Sequence, residues 1–344
     1  MAIVSKNYDI TADICVALEH SGADITKLAG KVVLVTGGTG VFGRWFLALL
    51  VEVRRRLGGD LEIISVSRNP KKFLDGNPDL ALGGVEYLSG DIVSFKIPNH
   101  ERVTHLVHLA TTTAQETFTG FESTEKLHML YAGTRNLLAQ CPEELESLLF
   151  TSSGVAYGIT ENADLVEEGQ AGFLDTLDAG VGLALGKLAA EYLIAAHSKK
   201  RGYKFSIARC FSFAGQFLPL DLHYAFGNFV ESASNDRAIQ LRSDGSDLRS
   251  YLYVGDAMAW LLRLLIEPRN GIYNVGSETP ISIRQLAETI TQELGSSGPI
   301  ETLHQAKEDG NFKRRCYVPS TERIRQHYSG LQEWTSLKEI IRKM

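Results

Sequence analysis

Cysteine is scarce in this sequence of 344 residues, and the few that are present do not cluster. Cys15, Cys141, Cys210 and Cys316 stand far apart, without a CxxC pair or a cysteine and histidine group. Zinc sites need ligands at short, regular spacings, so the sequence predicts no metal centre. Because disulfides are rare in the reducing cytoplasm, scattered thiols also favour a cytoplasmic protein.

Long apolar runs and a strong charge excess are absent as well. The longest apolar runs, such as residues 47–51, fall well short of the roughly 20 residues that a membrane helix needs, and the first residues lack the apolar segment of a signal peptide. The formal net charge is −6, with both signs interleaved, whereas nucleic-acid binding favours a basic face. We therefore expect neither a membrane nor a nucleic-acid partner.

The sequence does contain a regular alternation of short apolar runs and longer amphipathic stretches. The apolar runs, which indicate strands, cover residues 31–36, 61–67, 85–88, 105–109, 147–152, 204–208 and 273–276. Helical periodicity covers residues 44–57, 123–140, 183–199 and 283–294. This alternation predicts an α/β fold with a Rossmann-type, doubly wound parallel sheet.

Changes in residue composition and sequence pattern divide the chain into three predicted parts. Residues 1–30 predict a helical extension, and residues 31–210 predict the dinucleotide-binding Rossmann domain. After about residue 210 the loops lengthen and basic and aromatic residues mix. Residues 211–344 therefore predict a smaller C-terminal lobe that binds the substrate and is partly interleaved with the sheet.

Gly37, Gly40 and Gly43 form a G-x-x-G-x-x-G motif between the first predicted strand and the first predicted helix. One glycine permits the tight turn, one lets the backbone approach a pyrophosphate, and one allows the helix to pack closely on the strand. The helix that starts near Val41 and Phe42 directs free N–H groups toward the phosphates. The motif predicts a dinucleotide site.

The end of the second predicted strand bears on the choice between NAD and NADP. A carboxylate there favours NAD, whereas a basic residue accommodates the 2′-phosphate of NADP. Ser67 is followed by Arg68, and this strand tip carries no carboxylate. Because a guanidinium group stacks on adenine and pairs with phosphate, we favour NADP over NAD.

These motifs resemble the extended short-chain dehydrogenases/reductases, the NAD(P)-dependent nucleotide-sugar epimerase/dehydratase family. The similar segments follow the family's order over about residues 30–340: residues 36–43, Gly90-Asp91-Ile92, His108-Leu109-Ala110, and residues 133–138, 151–158, 186–191, 249–256 and 273–276. The resemblance implies a nucleotide-sugar enzyme that carries out epimerisation, ketoreduction or dehydrogenation.

The resemblance also implies roles for individual residues. Besides the glycine motif, Ser67 and Arg68, the implied cofactor contacts are Asp91, Ile92, Leu109, Ala110 and Lys187. The implied catalytic residues are Ser153, which would bind the reacting sugar oxygen, and Lys187, which would bind the nicotinamide ribose. The implied substrate contacts are Thr112, Ser153, Asn228, Leu241, Arg249 and either Arg314 or Arg315, of which we favour Arg315.

One position departs from the family pattern in a way that affects the chemistry. The family's proton-transferring tyrosine stands four residues before the lysine, on the same helix face, and the lysine lowers the pKa of its phenol. That position is Leu183, which cannot transfer a proton. Gly154 and Val155 replace the carboxylates that dehydratases place after the serine, which argues against a 4,6-dehydratase and disfavours a sugar-acid decarboxylase.

Two interpretations of this departure stay open. Other residues from segments that line the pocket in relatives could transfer the proton: Thr111–Thr113, Glu116, Cys210, His223 and Tyr224. Alternatively, the chain is a non-catalytic relative that binds cofactor and nucleotide sugar as a sensor or partner subunit. In the family, the helices at residues 123–140 and 183–199 pair between two subunits, so a homodimer is expected.

Overall fold

The computed structural model of the chain describes residues 9–76, 81, 83–112, 116, 122–158, 165–170, 172–220, 224–303 and 315–344. The strands are β1 (Lys31–Thr36), β2 (Leu61–Ser67), β3 (Val85–Ser89), β4 (His105–His108), β5 (Ser147–Ser153), β6 (Lys204–Cys210), β7 (Phe213–Ala214), β8 (Ile239–Leu241), β9 (Leu248–Arg249), β10 (Leu252–Tyr253), β11 (Gly271–Val275), β12 (Ile281–Ser282), β13 (Ile300–Thr302) and β14 (Cys316–Tyr317). The helices are α1 (Thr11–Ser21), α2 (Val41–Arg56), α3 (Pro70–Gly76), α4 (Ser123–Leu138), α5 (Gly182–Arg201), α6 (Ala225–Ser234), α7 (Val254–Ile266), α8 (Ile283–Leu294), α9 (Glu322–His327) and α10 (Leu337–Arg342).

Within these described residues, seven parallel strands form one sheet in the order β11-β6-β5-β4-β1-β2-β3. Strand β1, in the interior of the sheet, is buried on both faces, as expected where helices cover both sides of a parallel sheet. Val33 and Val35 belong to the core that contains α2 and α7. Val32 and Leu34 belong to the core that contains residues of α4 and α5. The predicted doubly wound Rossmann-type fold is confirmed.

The strand order determines where a ligand can bind. β1 pairs with β2 on one side and with β4 on the other, so the chain reverses its direction of winding at β1. In open α/β sheets, ligands bind at such a reversal, beyond the carboxyl ends of the strands. A ligand is therefore expected beside the turns that follow β1, β2, β4 and β5.

Glycines account for the main differences between the predicted and observed helix ends. α2 begins at Val41, where the glycine motif predicts it and three residues before the helical periodicity starts, because Gly40 has an extended conformation at the N-cap and already accepts a hydrogen bond of 3.0 Å from the Arg44 N–H. α5 continues to Arg201 and ends at Gly202, which has φ of +90°. A left-handed residue after a helix is commonly glycine because a β-carbon disfavours that conformation.

The second half of the chain contributes to both parts of the molecule. β11 pairs with β6 and completes the sheet, while α7 packs against α1, α2, β5 and β6. The remaining short strands form small sheets outside it, pairing β7 with β10, β8 with β13, and β9 with both β12 and β14. Residues after 210 thus contribute both to the seven-stranded sheet and to the small sheets outside it.

One helical segment, residues 179–201, is long and apolar enough by length and composition alone to cross a membrane. In this fold its helix α5 packs against α4, β5 and β6. It also carries the buried side chains of Lys187 and Glu191. Core helices of soluble proteins and signal sequences meet the same compositional test, so one such helix is weak evidence of a membrane span.

Candidate active site

The turn between β1 and α2 leaves no room for side chains at two of its glycines. Gly37 has φ of +75°, and a β-carbon there would lie 2.8 Å from the Cα atom of Ala110. A β-carbon on Gly43 would collide with the carbonyl oxygen of Gly37. These glycines therefore let α2 begin close to the end of β1 and let the chain after β4 pass beside the turn.

Polar groups at this edge of the sheet fit a dinucleotide. The first N–H groups of a helix have no intrahelical acceptor, and in α2 they belong to residues that line a cavity, Val41, Phe42 and Gly43. The Oγ of Ser67, at the tip of β2, is buried and has no hydrogen-bond partner among the described residues. A pyrophosphate would accept hydrogen bonds from the helix, and a ribose hydroxyl would give Ser67 a partner.

Arg68 lies next to Ser67 and forms a forked ion pair with Glu116. Its Nη1 lies 2.5 Å from Oε1 of Glu116 and its Nη2 lies 3.1 Å from Oε2. The hydrogen bond with Glu116 raises the pKa of Arg68, and the charge of Asp91 adds to this effect. Glu116, one of the residues considered for proton transfer, therefore has its carboxylate engaged beside the tip of β2.

A chain of three buried side chains lies beneath the glycine turn. The Oγ1 of Thr36 lies 2.9 Å from Nδ1 of His108, and Nε2 of His108 lies 3.0 Å from Oγ1 of Thr134. Burial and the charge of Lys187 lower the pKa of His108 to about 3, so its ring is neutral at physiological pH. Thr36 also accepts a hydrogen bond of 3.2 Å from the Ala110 N–H. These hydrogen bonds hold together the carboxyl ends of β1 and β4. They were not among the predicted contacts.

Lys187 extends from α5 to the carboxyl end of β5. Its side chain is buried, its Nζ donates a hydrogen bond of 2.8 Å to the carbonyl of Thr151, and it lies 4.9 Å from the ring centre of Phe150. Burial lowers the pKa of Lys187 to about 8. Leu183, one helical turn earlier, lines the same cavity. The structure therefore brings a readily titrated cation to the site and an apolar side chain to the position of the family's tyrosine.

Ser153 ends β5, and its Oγ accepts a hydrogen bond of 3.3 Å from the Val155 N–H. Tyr317 of β14 reaches the same place from the second half of the chain, and its hydroxyl oxygen lies 2.7 Å from the position that a β-carbon of Gly154, the residue after Ser153, would take. The guanidinium of Arg249 lies 5.5 Å from the ring centre of Tyr317. Ser153 and Arg249 were predicted site residues, whereas Tyr317 was not, because no local motif marks it.

A buried ion pair lies directly behind Ser153. Arg209 donates two hydrogen bonds to the carboxylate of Glu191, at 3.0 and 2.6 Å, and the hydroxyl of Ser152 donates to the same carboxylate at 2.5 Å. The Arg209 guanidinium also lies 4.3 Å from the ring centre of Tyr157. These contacts immobilise the end of β5 that presents Ser153. The sequence analysis missed the pair because its members are 18 positions apart.

The predicted cofactor and catalytic residues and part of the predicted substrate contacts meet in one cavity of about 1450 Å³. It is lined by the predicted residues Gly37, Gly40, Val41, Phe42, Gly43, Ser67, Arg68, Asp91, Ile92, Leu109, Ala110, Thr112, Ser153, Lys187 and Arg249. The cavity runs from the glycine turn to the C-terminal lobe, so the structure joins the implied cofactor and substrate contacts.

Three predicted substrate contacts do not line the cavity that the described residues form. Leu241 is 1% exposed because its side chain belongs to the hydrophobic core. The side-chain amide of Asn228 donates a hydrogen bond of 2.7 Å to the carbonyl of Leu220. Arg315 is exposed, and its backbone N–H donates to Asp247 at 3.1 Å.

Three other residues considered in the sequence analysis, Thr113, His223 and Arg314, lie outside the described residues. The part of the chain that the structure describes contains no group of three or more His, Cys, Asp or Glu side chains placed to hold a metal ion.

Residues 33–276 match the model of the NAD dependent epimerase/dehydratase family. Similar curated proteins include UDP-glucuronic acid decarboxylase 6 of Arabidopsis thaliana, which is 25% identical over 282 residues that cover 80% of this chain and 78% of that protein. UDP-glucuronic acid decarboxylase 1 of Xenopus tropicalis is 25% identical over 280 residues, which cover 81% of this chain and 64% of that protein.

Solved structures of similar fold include UDP-glucose 4-epimerase of Thermotoga maritima with UDP-glucose, with a TM-score of 0.74 and 19% identity, covering 91% of this chain and 96% of that one. An epimerase of Methanothermobacter thermautotrophicus has a TM-score of 0.77 and 20% identity, covering 95% of this chain and 93% of that one. UDP-glucuronic acid 4-epimerase of Bacillus cereus, in complex with NAD and a fluorinated UDP-sugar, has a TM-score of 0.72 and 18% identity, covering 90% and 96%.

Proposed function

Because this chain belongs to the NAD-dependent epimerase/dehydratase family, we propose that it is an enzyme that uses a nicotinamide dinucleotide to alter one carbon of a nucleotide-linked sugar. The observation that carries this proposal is the single cavity that joins the glycine turn to Ser153, Lys187 and Arg249. Its volume of about 1450 Å³ exceeds the roughly 300–1,000 Å³ of most small-molecule sites. Two adjoining ligands, a dinucleotide and a nucleotide sugar, would require such a volume.

Each part of the cavity has a role in this proposal. The N–H groups of Val41 and Phe42 bind the pyrophosphate of the dinucleotide, and the ammonium of Lys187 binds its nicotinamide ribose. The hydroxyl of Ser153 binds the reacting oxygen of the sugar. The forked guanidinium of Arg249 suits the diphosphate of the substrate. When bound, the dinucleotide accepts or supplies a hydride at the sugar carbon.

The residues after Ser153 limit the types of reaction that we propose for this site. Gly154 and Val155 stand where the family's dehydratases, and commonly its decarboxylases, carry a carboxylate. Although the similar curated proteins include UDP-glucuronic acid decarboxylases, we therefore propose ketoreduction, dehydrogenation or epimerisation rather than loss of water or of a carboxyl group.

The proposed cofactor is NADP in preference to NAD. The exposed Arg68 beside Ser67 supports this preference, since its guanidinium can exchange the carboxylate of Glu116 for the 2′-phosphate. The test compares the affinities of NADP and NAD by calorimetry for the natural protein and for Arg68→Ala. We expect a preference for NADP that Arg68→Ala removes. Tighter binding of NAD by the natural protein would refute this part of the proposal.

A homodimer in the cytoplasm is also part of the proposal. Exposed aromatic side chains on α4 and α5, Tyr131 at 40% and Tyr192 at 72%, support a subunit contact along these helices. Cys15, Cys141, Cys210 and Cys316, all in the described part of the chain, form no disulfide, which is compatible with the cytoplasm. Light scattering after size-exclusion chromatography tests the dimer, and a monomeric mass over the working concentration range would refute it.

Leu183 favours a second candidate function, that of a non-catalytic protein that binds cofactor and nucleotide sugar. Its side chain lines the cavity at the position of the family's tyrosine. Binding of both ligands without any chemical change would support this candidate over the enzyme.

The test of the enzyme begins with denaturation of the purified protein and mass spectrometry of any nucleotides that are released. The protein is then incubated with dinucleotide and a panel of nucleotide sugars and their 4-keto derivatives in deuterated water. We expect incorporation of deuterium, oxidation or reduction of the dinucleotide, or a new sugar product.

Variants identify the site that is responsible. Ser153→Ala and Lys187→Ala should abolish turnover, while Lys200→Ala, which changes an exposed lysine on the same helix, should not. Turnover that survives both site substitutions would show that the site is misassigned. Absence of any product over the whole panel, with both ligands bound, would favour the binding protein.

A further inference from the structure

The proposed reaction needs a group that transfers a proton to or from the sugar oxygen. Such a group must lie within hydrogen-bond reach of that oxygen. At the position of the family's tyrosine, this chain has the apolar side chain of Leu183 in the wall of the cavity. The proton must therefore come from another element of the fold.

Tyr317 brings a phenol hydroxyl from β14 to the end of β5, where Ser153 stands. Its strand β14 pairs with β9, which carries Arg249. Its hydroxyl oxygen lies 2.7 Å from the position that a β-carbon of Gly154, the residue between Ser153 and Val155, would take. Phe211 packs against its ring, with the ring centres 4.7 Å apart. The phenol is therefore held beside the serine that would bind the reacting sugar oxygen.

The residue after Ser153 makes room for this hydroxyl. A β-carbon on Gly154 would lie 2.7 Å from the Tyr317 oxygen, which is closer than real β-carbons approach other atoms, and 3.0 Å from the Phe211 ring. Glycine at this position and the tyrosine of β14 therefore depend on each other sterically. Two residues depart from the family pattern here. Gly154 leaves space for the Tyr317 hydroxyl, and Leu183 leaves the usual position of the tyrosine without a phenol.

Two other groups considered for proton transfer are engaged elsewhere. The carboxylate of Glu116 binds Arg68. The thiol of Cys210 donates to the carbonyl of Ala208 at 3.5 Å, and burial raises its pKa to about 12.

Charges around Tyr317 suit a proton donor. Burial raises the pKa of Tyr317 to about 12, so the phenol is protonated at neutral pH. The Ser153 hydroxyl, the charge of Arg249 and the Val155 N–H act in the opposite direction. These three groups stabilise the phenolate that remains after the proton has left.

We propose that Tyr317 is the catalytic acid and base of this enzyme, in place of the tyrosine missing at Leu183; this inference rests on the proposed function. In reduction, Tyr317 gives its hydroxyl proton to the carbonyl oxygen of a keto sugar while the carbonyl carbon gains a hydride from a reduced nicotinamide dinucleotide. The ketone becomes an alcohol, the dinucleotide becomes oxidised, and water reprotonates the phenolate. In oxidation, the phenolate takes the hydroxyl proton as the hydride leaves the same carbon for the oxidised dinucleotide, so the alcohol becomes a ketone and the dinucleotide becomes reduced.

The first test compares the natural protein with Tyr317→Phe on the substrate that the panel identifies. Proton transfer by a positioned side chain contributes roughly a hundredfold or more to the rate. We therefore expect kcat to fall by about a hundredfold or more, while the dissociation constant of the nucleotide sugar changes by less than about threefold. The matched control is Tyr328→Phe, which removes a buried hydroxyl that donates to the backbone carbonyl of Glu267 at 2.7 Å and should keep its kcat.

The second test does not depend on turnover. The ultraviolet absorbance of phenolate is titrated with pH for the natural protein and for Tyr317→Phe, and the difference isolates Tyr317. The oxidised dinucleotide carries a positive nicotinamide ring, and a nearby opposite charge lowers a pKa by about one unit or more. We expect the Tyr317 midpoint to fall with the oxidised dinucleotide and not with the reduced one, a response that a purely structural tyrosine would not show.

The outcomes separate the two proposals. Turnover by the natural protein that Tyr317→Phe retains within about threefold, or equal Tyr317 midpoints with both forms of dinucleotide, would overturn the role of Tyr317 and leave the proposed function standing. A natural protein that binds neither dinucleotide nor nucleotide sugar would overturn the proposed function, and the role of Tyr317 with it.

Discussion

The hydroxyl oxygen of Tyr317 lies 2.7 Å from the point where a β-carbon on Gly154 would stand. The two residues come from different parts of the chain, since Gly154 follows β5 and Tyr317 belongs to β14. Their contact joins the serine turn of the Rossmann sheet to the C-terminal lobe. The close approach of the Tyr317 hydroxyl explains why residue 154 is a glycine, at a position where the family's dehydratases carry a carboxylate.

Gly154→Ala should therefore displace the phenol of Tyr317. We expect kcat to fall by about tenfold or more, because a small misplacement of a catalytic group costs a large factor in rate, while the dinucleotide still binds. Steady-state kinetics and calorimetry provide the two measurements. Gly169→Ala is the control, since a β-carbon there meets no atom within 4 Å. Equal kinetics for both variants would contradict the steric coupling.

Leu183→Tyr should restore activity to the Tyr317→Phe variant. Residues four apart lie on one face of a helix, so a tyrosine at residue 183 would stand one turn from Lys187, as in the family. We expect kcat of the double variant to exceed that of Tyr317→Phe by about tenfold or more. Leu188→Tyr, on the same helix, provides the comparison and should give no gain. A double variant as slow as Tyr317→Phe would argue against a shared chemical role.

Affinity for the dinucleotide should decrease as pH rises through about 8. Burial lowers the pKa of Lys187 to about 8, so its ammonium is present below this pH and is lost above it, together with its attraction for an anionic ligand. Calorimetric titrations between about pH 7 and about pH 9 should show a dissociation constant that increases several-fold. Lys187→Met should bind more weakly, with little change over this range. The same pH dependence in both proteins would assign the effect to another group.

Arg209→Ala should destabilise the fold strongly. The substitution leaves the buried carboxylate of Glu191 without its cation, and breaking a buried pair in this way costs about 3–5 kcal/mol. Urea denaturation gives the change in the free energy of unfolding. Arg325→Ala breaks a more exposed pair with Glu278 and should cost about 1 kcal/mol or less. Equal losses in the two variants would show that the Arg209 pair is not specially buried.

The sequence by itself determined the features that depend on local backbone geometry and on short spacings. The strands at residues 31–36 and 61–67 and the helix at residues 283–294 were predicted with the bounds that the structure has. The glycine turn could be predicted because its conformation depends on neighbouring residues. The positions of Ser153 and Lys187 followed from motifs within one strand end and one helix turn, and the structure places both in the cavity.

Only the tertiary structure decided which distant residues complete the site. Tyr317 reaches Ser153 across 164 positions because β14 pairs with β9 in a small sheet outside the main one, and no spacing rule predicts such a pairing. The same packing places Leu241 in the core and directs the Asn228 amide to the carbonyl of Leu220. Burial and the pairing of distant strands, which depend on the whole chain, decide these positions.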